Sequence, residues 1–213
     1  MTRLLVATTN ANKVREIRQL LAGTDADIVT LAEWPDITAP DETGRTFEEN
    51  ARAKALYYAA ATGALTVAED SGLSIDALGG APGVESARFG GADLPYPEKF
   101  ARIDAALRAK GDRESPARFV CALALVRDGR VLFEARGTVE GRISPEPKGQ
   151  GGFGYDPIFF YPPYGQTLAE AGDAKAAVSH RGEAFRALRT FLESHFDSNR
   201  TTKHTKDDET HEK

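Results

Sequence analysis

Thr66-Val67-Ala68-Glu69-Asp70-Ser71-Gly72 is the stretch around which the rest of the chain is organised. Its apolar start is typical of a buried strand, which we expect to end at Ser71-Gly72, directly after two adjacent carboxylates. A buried carboxylate is costly unless it is paired, hydrogen-bonded or bound to a metal. The stretch therefore indicates either a metal or general-base site at the end of a strand, or an exposed turn whose acids are solvated.

The composition is that of an ordinary globular protein, with 41% hydrophobic and 28% charged residues among 213. No apolar run reaches the roughly 20 residues of a membrane helix, and the start of the chain lacks the pattern of a signal peptide. The single cysteine, Cys121, is typical of a cytoplasmic protein and is expected in the core. The net charge of −5 argues against a polymeric nucleic-acid partner, but not against a nucleotide that arrives with a cation.

The chain shows no internal repeat and no interdomain linker, so we expect one domain over residues 1–196. Residues 197–213 contain no apolar side chain and are expected to form a disordered polar tail. Within the domain, strands are predicted near residues 3–8, 27–31, 66–70, 118–126, 131–135 and 158–160, and the fifth of them either ends at 135 or extends to 139. Asp128-Gly129 predicts a tight hairpin turn between two of these strands.

The polar turn between the first strand and the first helix is a candidate anion site. Free backbone N–H groups at a helix start favour a phosphate, and Lys13 lies in the first helical turn. A cation there opposes the helix dipole, so we expect compensation either by an anionic ligand or by Glu16, three residues on.

The second helix begins with a capping box, Thr46 with Glu49 three residues later. The preceding loop carries two acids, Asp41 and Glu42. Asn50 and Lys54 lie one turn apart on this helix, and we interpret them as a solvated pair.

Two later segments carry residues that could bind a base. Phe153 and Tyr155 lie among glycines, where aromatic rings either stack on a base or plug the core. Ser179 is a good N-cap, so His180 and Arg181 lie at a helix start, where donors converge on a ligand. The alternative for His180 is a structural histidine whose hydrogen bonds are satisfied within the fold.

Six motifs in this order resemble the inosine triphosphate pyrophosphatase family, from about Leu4 to about Leu192. They are Thr8–Lys13, Thr46–Ala51, Glu69–Leu73, Leu78–Gly83, Gly152–Pro157 and Ser179–Gly182. The resemblance implies an α/β fold in which an elongated, curved, mixed central sheet is flanked by helices and the nucleotide lies in a cleft between two lobes. It also implies a homodimer, dependence on Mg²⁺, and hydrolysis of ITP, dITP or XTP to the monophosphate plus pyrophosphate.

The resemblance carries site roles over position by position. The triphosphate would be bound by Thr8, Thr9, Asn10, Ala11, Asn12 and Lys13, with Ser71 as a further substrate contact. The metal would be bound by Glu42 and Asp70, with Asp70 also the catalytic base. The base would be held by Phe153, Gly154, Tyr155 and Asp156, and its edge would be read by His180 and Arg181. Lys175 would be a further substrate contact.

Two positions depart from the family pattern. Thr9 stands where many members have glycine, so the first loop is expected to approach the phosphates less closely. Glu69 stands where bacterial members often have aspartate, which makes Glu69 a further candidate metal ligand. Because successive strand residues point to opposite faces, only one of Glu69 and Asp70 should face the metal unless the strand has already ended.

The sequence offers no serine or cysteine nucleophile beside a base, so direct attack by a metal-assisted water is favoured over a covalent intermediate. Two alternatives remain at this point. One is a nucleotide-binding regulatory module without turnover, which would have no use for Asp70. The other is a related pyrophosphatase that acts on other modified nucleotides.

Overall fold

The computed structural model describes residues 2–196, and strand β3 runs without interruption over Leu65–Ile75. The expectation that this strand ends at Ser71-Gly72 is wrong, because both residues pair with strand β4 (Pro116–Arg127). The strand continues because Leu73 and Ile75 are fully buried at alternating positions, and their burial outweighs the low strand propensity of serine and glycine. The two carboxylates therefore lie in the middle of a strand and not at its end.

Seven strands form one mixed sheet in the order β2-β1-β3-β4-β5-β6-β7. The remaining strands are β1 Thr2–Val6, β2 Ala26–Thr30, β5 Arg130–Ile143, β6 Phe159–Tyr161 and β7 Gln166–Thr167. Strand β1 is parallel to both its neighbours, β2 and β3, and the pairs from β3 to β7 are antiparallel. The mixed α/β sheet expected from the resemblance is confirmed.

The α-helices of the described residues are α1 Ala11–Leu20, α2 Phe47–Thr62, α3 Tyr96–Lys110, α4 Lys175–Val178 and α5 His180–His195. The capping box of α2 is present, with Thr46 accepting from the Glu49 amide and the Glu49 carboxylate accepting from Thr46. Ser179 caps α5 by accepting from the Gly182 amide. Both helix starts predicted from capping residues are confirmed.

The hairpin between β4 and β5 turns at Asp128-Gly129, as predicted. Both residues have positive φ, 51° and 70°, which is the backbone conformation that a tight two-residue hairpin requires. Residues 119–126 of β4 are buried on both faces, so this strand is central. Cys121 is fully buried within it, which confirms its expected place in the core.

Strand β3 passes through two hydrophobic cores. Leu65 and Val67 at its start pack with α1 and α5, whereas Leu73 and Ile75 at its end pack with α3 and β6. The polar residues between these pairs are left at the junction of the two cores, where a cleft opens. Of the helices within residues 2–196, none combines the length and the hydrophobicity that a membrane-spanning helix requires.

Candidate active site

A cleft of approximately 330 Å³ lies beside the middle of β3. Most of the predicted site residues come together in its walls, although they are far apart in the sequence. They are Thr8, Thr9, Asn10, Lys13, Glu42, Asp70, Ser71, Phe153, Gly154, Tyr155, Asp156, Lys175, His180 and Arg181. Three predicted candidates do not line this cleft: Ala11 and Asn12, which lie in the first turn of α1, and Glu69.

Asp70 is the carboxylate that faces the cleft. Its Oδ2 accepts a hydrogen bond from Asn50 Nδ2 at 2.9 Å, and its Oδ1 accepts from the Ser71 amide at 3.0 Å. Burial raises the pKa of Asp70 above its usual value, although Lys54 and the Asn50 hydrogen bond oppose this shift. A raised pKa brings a carboxylate closer to the range in which it can accept a proton as a general base.

Glu42 approaches Asp70 from the loop before α2, with the Lys54 ammonium between them. Lys54 Nζ lies 2.7 Å from Glu42 Oε1 and 3.7 Å from Asp70 Oδ1. Arg88 also contacts Glu42, at 3.3 Å. Burial disfavours the charged form of Glu42, but Lys54 and Arg88 outweigh it and lower its pKa. The carboxylates of Glu42 and Asp70 therefore lie on either side of the Lys54 ammonium and together stabilise its positive charge.

Glu69, which alternates with Asp70 along β3, does not line the cleft itself and is neutralised by two cations that do. Arg181 Nε donates to Glu69 Oε1 at 2.9 Å, and Lys13 Nζ lies 3.3 Å from the same oxygen. The Cys121 thiol donates to the other oxygen. Burial alone would raise the pKa of Glu69, yet Arg181 and Lys13 hold it well below its usual value. The partners of Glu69 are those of a structural counter-ion.

Lys13 therefore pairs with Glu69, and of the two alternatives for its compensation the pairing with Glu16 is wrong. Glu16 instead accepts from Arg181 Nη1 at 2.7 Å and from Lys175 Nζ at 3.4 Å. Glu16 lies three residues after Lys13 in α1, and its partners are Lys175 of α4 and Arg181 of α5.

The loop before α1 is partly closed on itself. Asn10 caps the helix, its side-chain oxygen accepting from the Asn12 and Lys13 amides at 3.0 and 3.3 Å. The exposed Thr9 and the half-buried Thr8 remain on the cleft wall beside Lys13. At this end the cleft thus offers ammonium groups and polar loop atoms to an anion.

At the other end of the cleft the two aromatic candidates have different roles. Tyr155 is 3% exposed, belongs to a hydrophobic core, and donates to the Ser86 carbonyl at 2.8 Å. Phe153 is only half-buried and has the Lys175 ammonium 4.7 Å from its ring centroid. The interpretation as a core plug is correct for Tyr155, whereas Phe153 presents a ring to the cleft.

Asp156 and Lys175 form a buried ion pair beneath this ring. Lys175 Nζ donates to Asp156 Oδ2 at 2.7 Å, and the same oxygen accepts from the Phe153 amide at 2.8 Å. Burial raises the pKa of Asp156, and Lys175 opposes that rise. The pair fixes the loop that carries Phe153 against α4.

His180 and Arg181 begin α5 at the back of the cleft. The His180 ring stacks on Phe119 at 4.9 Å, and its Nδ1 is buried without a hydrogen-bond partner. Burial, followed by the neighbouring Arg181, holds the pKa of His180 well below its usual value, so the ring is neutral near pH 7. Arg181 is 1% exposed, and each of its three nitrogens donates to an oxygen of Glu69, Glu16 or Ser71.

The donor set fits a divalent cation that is shared with a phosphate ligand. Within residues 2–196, no cluster of three or more His, Cys, Asp or Glu side chains could hold a metal ion by itself. Glu42 and Asp70 supply two carboxylates around the Lys54 ammonium, so a positive charge between them is stable. Mg²⁺ is commonly bound by one or two carboxylates together with substrate phosphates.

Sequence reasoning missed two polar residues of α2. The interpretation of Asn50 and Lys54 as a solvated pair is wrong, because Asn50 is 1% exposed and both side chains contact Asp70. Lys54 also lines the cleft. The available signal was the alanine-rich face that carries them: Ala51 and Ala55 are fully buried and bring the helix close to β4.

Comparisons with known proteins agree over nearly all of the described chain. A dITP/XTP pyrophosphatase from Gloeobacter violaceus is 51% identical over 189 residues, covering 88% of this chain and 93% of that protein. One from Exiguobacterium sp. is 46% identical over 190 residues, covering 87% and 94%. The structure of a HAM1 protein from Coxiella burnetii superposes with a TM-score of 0.85 at 38% identity, covering 91% of this chain and 100% of that one. The model of the Ham1 family matches residues 4–191, and the chain belongs to that family.

Proposed function

We propose that this protein hydrolyses non-standard purine nucleoside triphosphates, namely ITP, dITP and XTP, to the monophosphate and pyrophosphate. The observation that carries the proposal is the arrangement of the cleft. Lys54 lies beside Glu42 and Asp70, and we call this part of the cleft, with Lys13, its cationic end; the Phe153 ring lies beside Lys175, and we call this part its aromatic end. The family relatives described as dITP/XTP pyrophosphatases support the same substrate class.

The cationic end binds the triphosphate in this proposal. Lys13 and Lys54 neutralise phosphate oxygens, and the loop of Thr8, Thr9 and Asn10 contributes polar contacts. Glu42 and Asp70 would hold Mg²⁺, and this ion, when bound, supplies Lewis-acid stabilisation of charge on the phosphate oxygens. Because Lys54 contacts both carboxylates, it links phosphate binding to the metal ligands.

Asp70 is the proposed general base. Its Oδ2 is fixed by Asn50, so Oδ1 is the oxygen directed toward Lys54 and the cleft. A water that attacks the phosphorus nearest the ribose would transfer a proton to Asp70, and pyrophosphate would leave. The buried Cys121 thiol has its pKa raised by burial and by Glu69, which argues against a thiolate nucleophile.

The aromatic end binds the purine in this proposal. Phe153 stacks on the base, while Asp156 and Lys175 fix the loop that carries it. Neutral His180, with its unpartnered Nδ1, and the backbone at the start of α5 are the donors and acceptors for the base edge. Arg181 contributes mainly by fixing the start of α5 against α1 and β3, since all three of its nitrogens already donate to oxygens of Glu16, Glu69 and Ser71.

We further propose that the protein acts as a homodimer in a reducing cytoplasm, with residues 1–196 as a single catalytic domain. The family resemblance supports the dimer, and the lone cysteine supports the compartment. The polar tail predicted at 197–213 lies outside the described residues.

Release of pyrophosphate with Mg²⁺ tests the proposed reaction, using ITP, dITP, XTP, GTP and ATP as a substrate panel. Hypoxanthine and xanthine carry an acceptor oxygen at position 6, where adenine carries a donor amino group. We expect ITP and XTP to be cleaved best, GTP poorly and ATP least. Two mismatched buried contacts at about 1–3 kcal/mol each sum to about 2–6 kcal/mol, which is a discrimination of roughly 30-fold or more. Binding of ITP without pyrophosphate release would favour the regulatory module, and a preference for other modified nucleotides would favour a related pyrophosphatase.

A further inference from the structure

Asn50 lies in the second turn of α2 with its side chain buried, and it joins the two segments that carry the proposed metal ligands. Its Oδ1 accepts from the Gly44 amide at 2.8 Å, and its Nδ2 donates to Asp70 Oδ2 at 2.9 Å. Gly44 is two residues after Glu42 in the loop before α2. One amide group therefore connects the backbone of the Glu42 loop to the Asp70 carboxylate.

The orientation of this amide follows from its partners. A backbone N–H can only donate, so the Asn50 oxygen must face Gly44 and the nitrogen must face Asp70. Aspartate in place of Asn50 would keep the first bond and place a like charge beside Asp70, and leucine would satisfy neither partner. Asparagine is thus the residue that fits both contacts at this length.

The contact between Asn50 and residue 44 also requires a glycine at position 44. A Cβ at Gly44 would lie 2.5 Å from Asn50 Oδ1 and 2.9 Å from the Glu49 Cβ. Gly44 has no positive φ, so the glycine is explained by this close approach and not by its backbone conformation.

The rest of the helix start is held independently of Asn50. Glu49 accepts from the Arg45 amide at 2.6 Å and from the Thr46 amide at 3.3 Å, and Thr46 accepts from Glu49. These bonds shape the chain that enters α2, but none of them reaches Asp70. The Asn50 bridge is therefore separable from the stability of the helix cap.

We propose that Asn50 is a positioning residue that sets the spacing between the Glu42 loop and Asp70, and with it the affinity of the site for a divalent cation. The inference takes from the proposed function only that the site binds a divalent cation. It does not require that the protein hydrolyses a nucleotide. Groups that orient metal ligands through hydrogen bonds typically contribute 10–100-fold to metal affinity or activity.

The test compares Asn50→Ala and Gly44→Ala with Thr46→Ala as the matched control. Thr46→Ala removes the helix cap at the same end of α2 without touching Asp70. Calorimetric titration with Mn²⁺ is done in the presence of an ITP analogue with a methylene bridge between the α- and β-phosphates, which supplies the phosphate ligand and cannot be cleaved there. It measures cation affinity without nucleotide hydrolysis, and circular dichroism with the thermal midpoint reports folding. Hydrogen exchange of the Gly44 amide reports the bridge itself.

We expect Asn50→Ala and Gly44→Ala each to weaken Mn²⁺ binding by roughly 10-fold or more, with faster exchange at residue 44 in the first variant. Thr46→Ala should lower the thermal midpoint and leave Mn²⁺ affinity unchanged. Wild-type affinity in both bridge variants, or an equal loss in Thr46→Ala, would overturn the proposal. Because the titration does not depend on hydrolysis, absence of pyrophosphate release from the wild type would contradict the proposed function alone.

Discussion

Replacing Glu69 by glutamine tests whether this residue is a structural counter-ion or a metal ligand. The Glu69 and Arg181 side chains are each 1% exposed, so solvent does little to screen their pairing. Glutamine keeps an oxygen that can accept from Arg181 Nε but removes the negative charge. Lys13 then loses the carboxylate 3.3 Å from its ammonium, and Arg181 loses one of its two carboxylate partners.

The magnitude follows from which partners remain. Removing one member of a buried ion pair costs about 3–5 kcal/mol of the free energy of unfolding. Arg181 retains Glu16 at 2.7 Å and Ser71 at 3.0 Å, so the low end, about 3 kcal/mol, is expected. For a domain of this size, each kcal/mol lowers the thermal midpoint by about 2–4 °C, which gives a decrease of roughly 6–12 °C.

The effect should also depend on pH. Arg181 and Lys13 overcome the effect of burial and hold the pKa of Glu69 well below 4.5, its ordinary value, so its contribution to stability is present above pH 4.5. As the pH falls below that value, the unfolded chain takes up a proton that the folded protein does not bind. The difference between wild type and Glu69→Gln should therefore shrink in acid.

Urea unfolding at pH 7 and in mild acid, followed by circular dichroism, measures both effects. Glu134→Gln is the control, because Glu134 also pairs with an arginine, Arg52, but at the surface. Exposed pairs contribute about 0–1 kcal/mol, so this variant should resemble the wild type. If Glu69→Gln were as stable as the wild type yet bound Mn²⁺ less tightly, the counter-ion interpretation would be refuted and Glu69 would be a metal ligand.

Three further predictions concern the base, the histidine and the tail. Asp70→Asn should lower turnover by roughly 10²-fold or more with the fold retained, and near-normal pyrophosphate release would exclude Asp70 as the base. Burial and Arg181 hold the pKa of His180 below 6.5, so the wild type should lose stability relative to His180→Gln as the pH falls below 6.5. The loss should be at most about 1.4 kcal/mol per pH unit. A stability difference that does not change with pH in urea unfolding would contradict this. Deleting residues 197–213 removes no apolar side chain and should change stability by less than ~0.5 kcal/mol, and a lower thermal midpoint would show that the tail contacts the domain.

The local signals in the sequence were sufficient for the helix ends and the hairpin. The hydrogen bonds and backbone angles at these places join residues only a few positions apart, so they depend little on the rest of the fold. The residues are Thr46 with Glu49, Ser179, and Asp128-Gly129. The motifs also identified most of the cleft residues, because each motif places its polar groups in one short segment.

The end of β3 could not be predicted in the same way. Ser71 and Gly72 are weak strand formers, and only the buried positions beyond them, with β4 alongside, keep the strand intact. That continuation decides that Glu69 and Asp70 point to opposite faces. The question left open by the sequence, which of the two acids faces the cleft, was thus a question about sheet pairing.

What the sequence by itself determined was the family, the ends of the helices and the segments that line the cleft, since these depend on residue type and short spacing. Tertiary structure alone decided the charge pairing. Lys13 could reach Glu16 by spacing but meets Glu69, and Asn50 could have been solvated but meets Asp70. The physical reason is that a charged or amide group pairs with whatever distant element is packed against it, and burial makes that pairing obligatory.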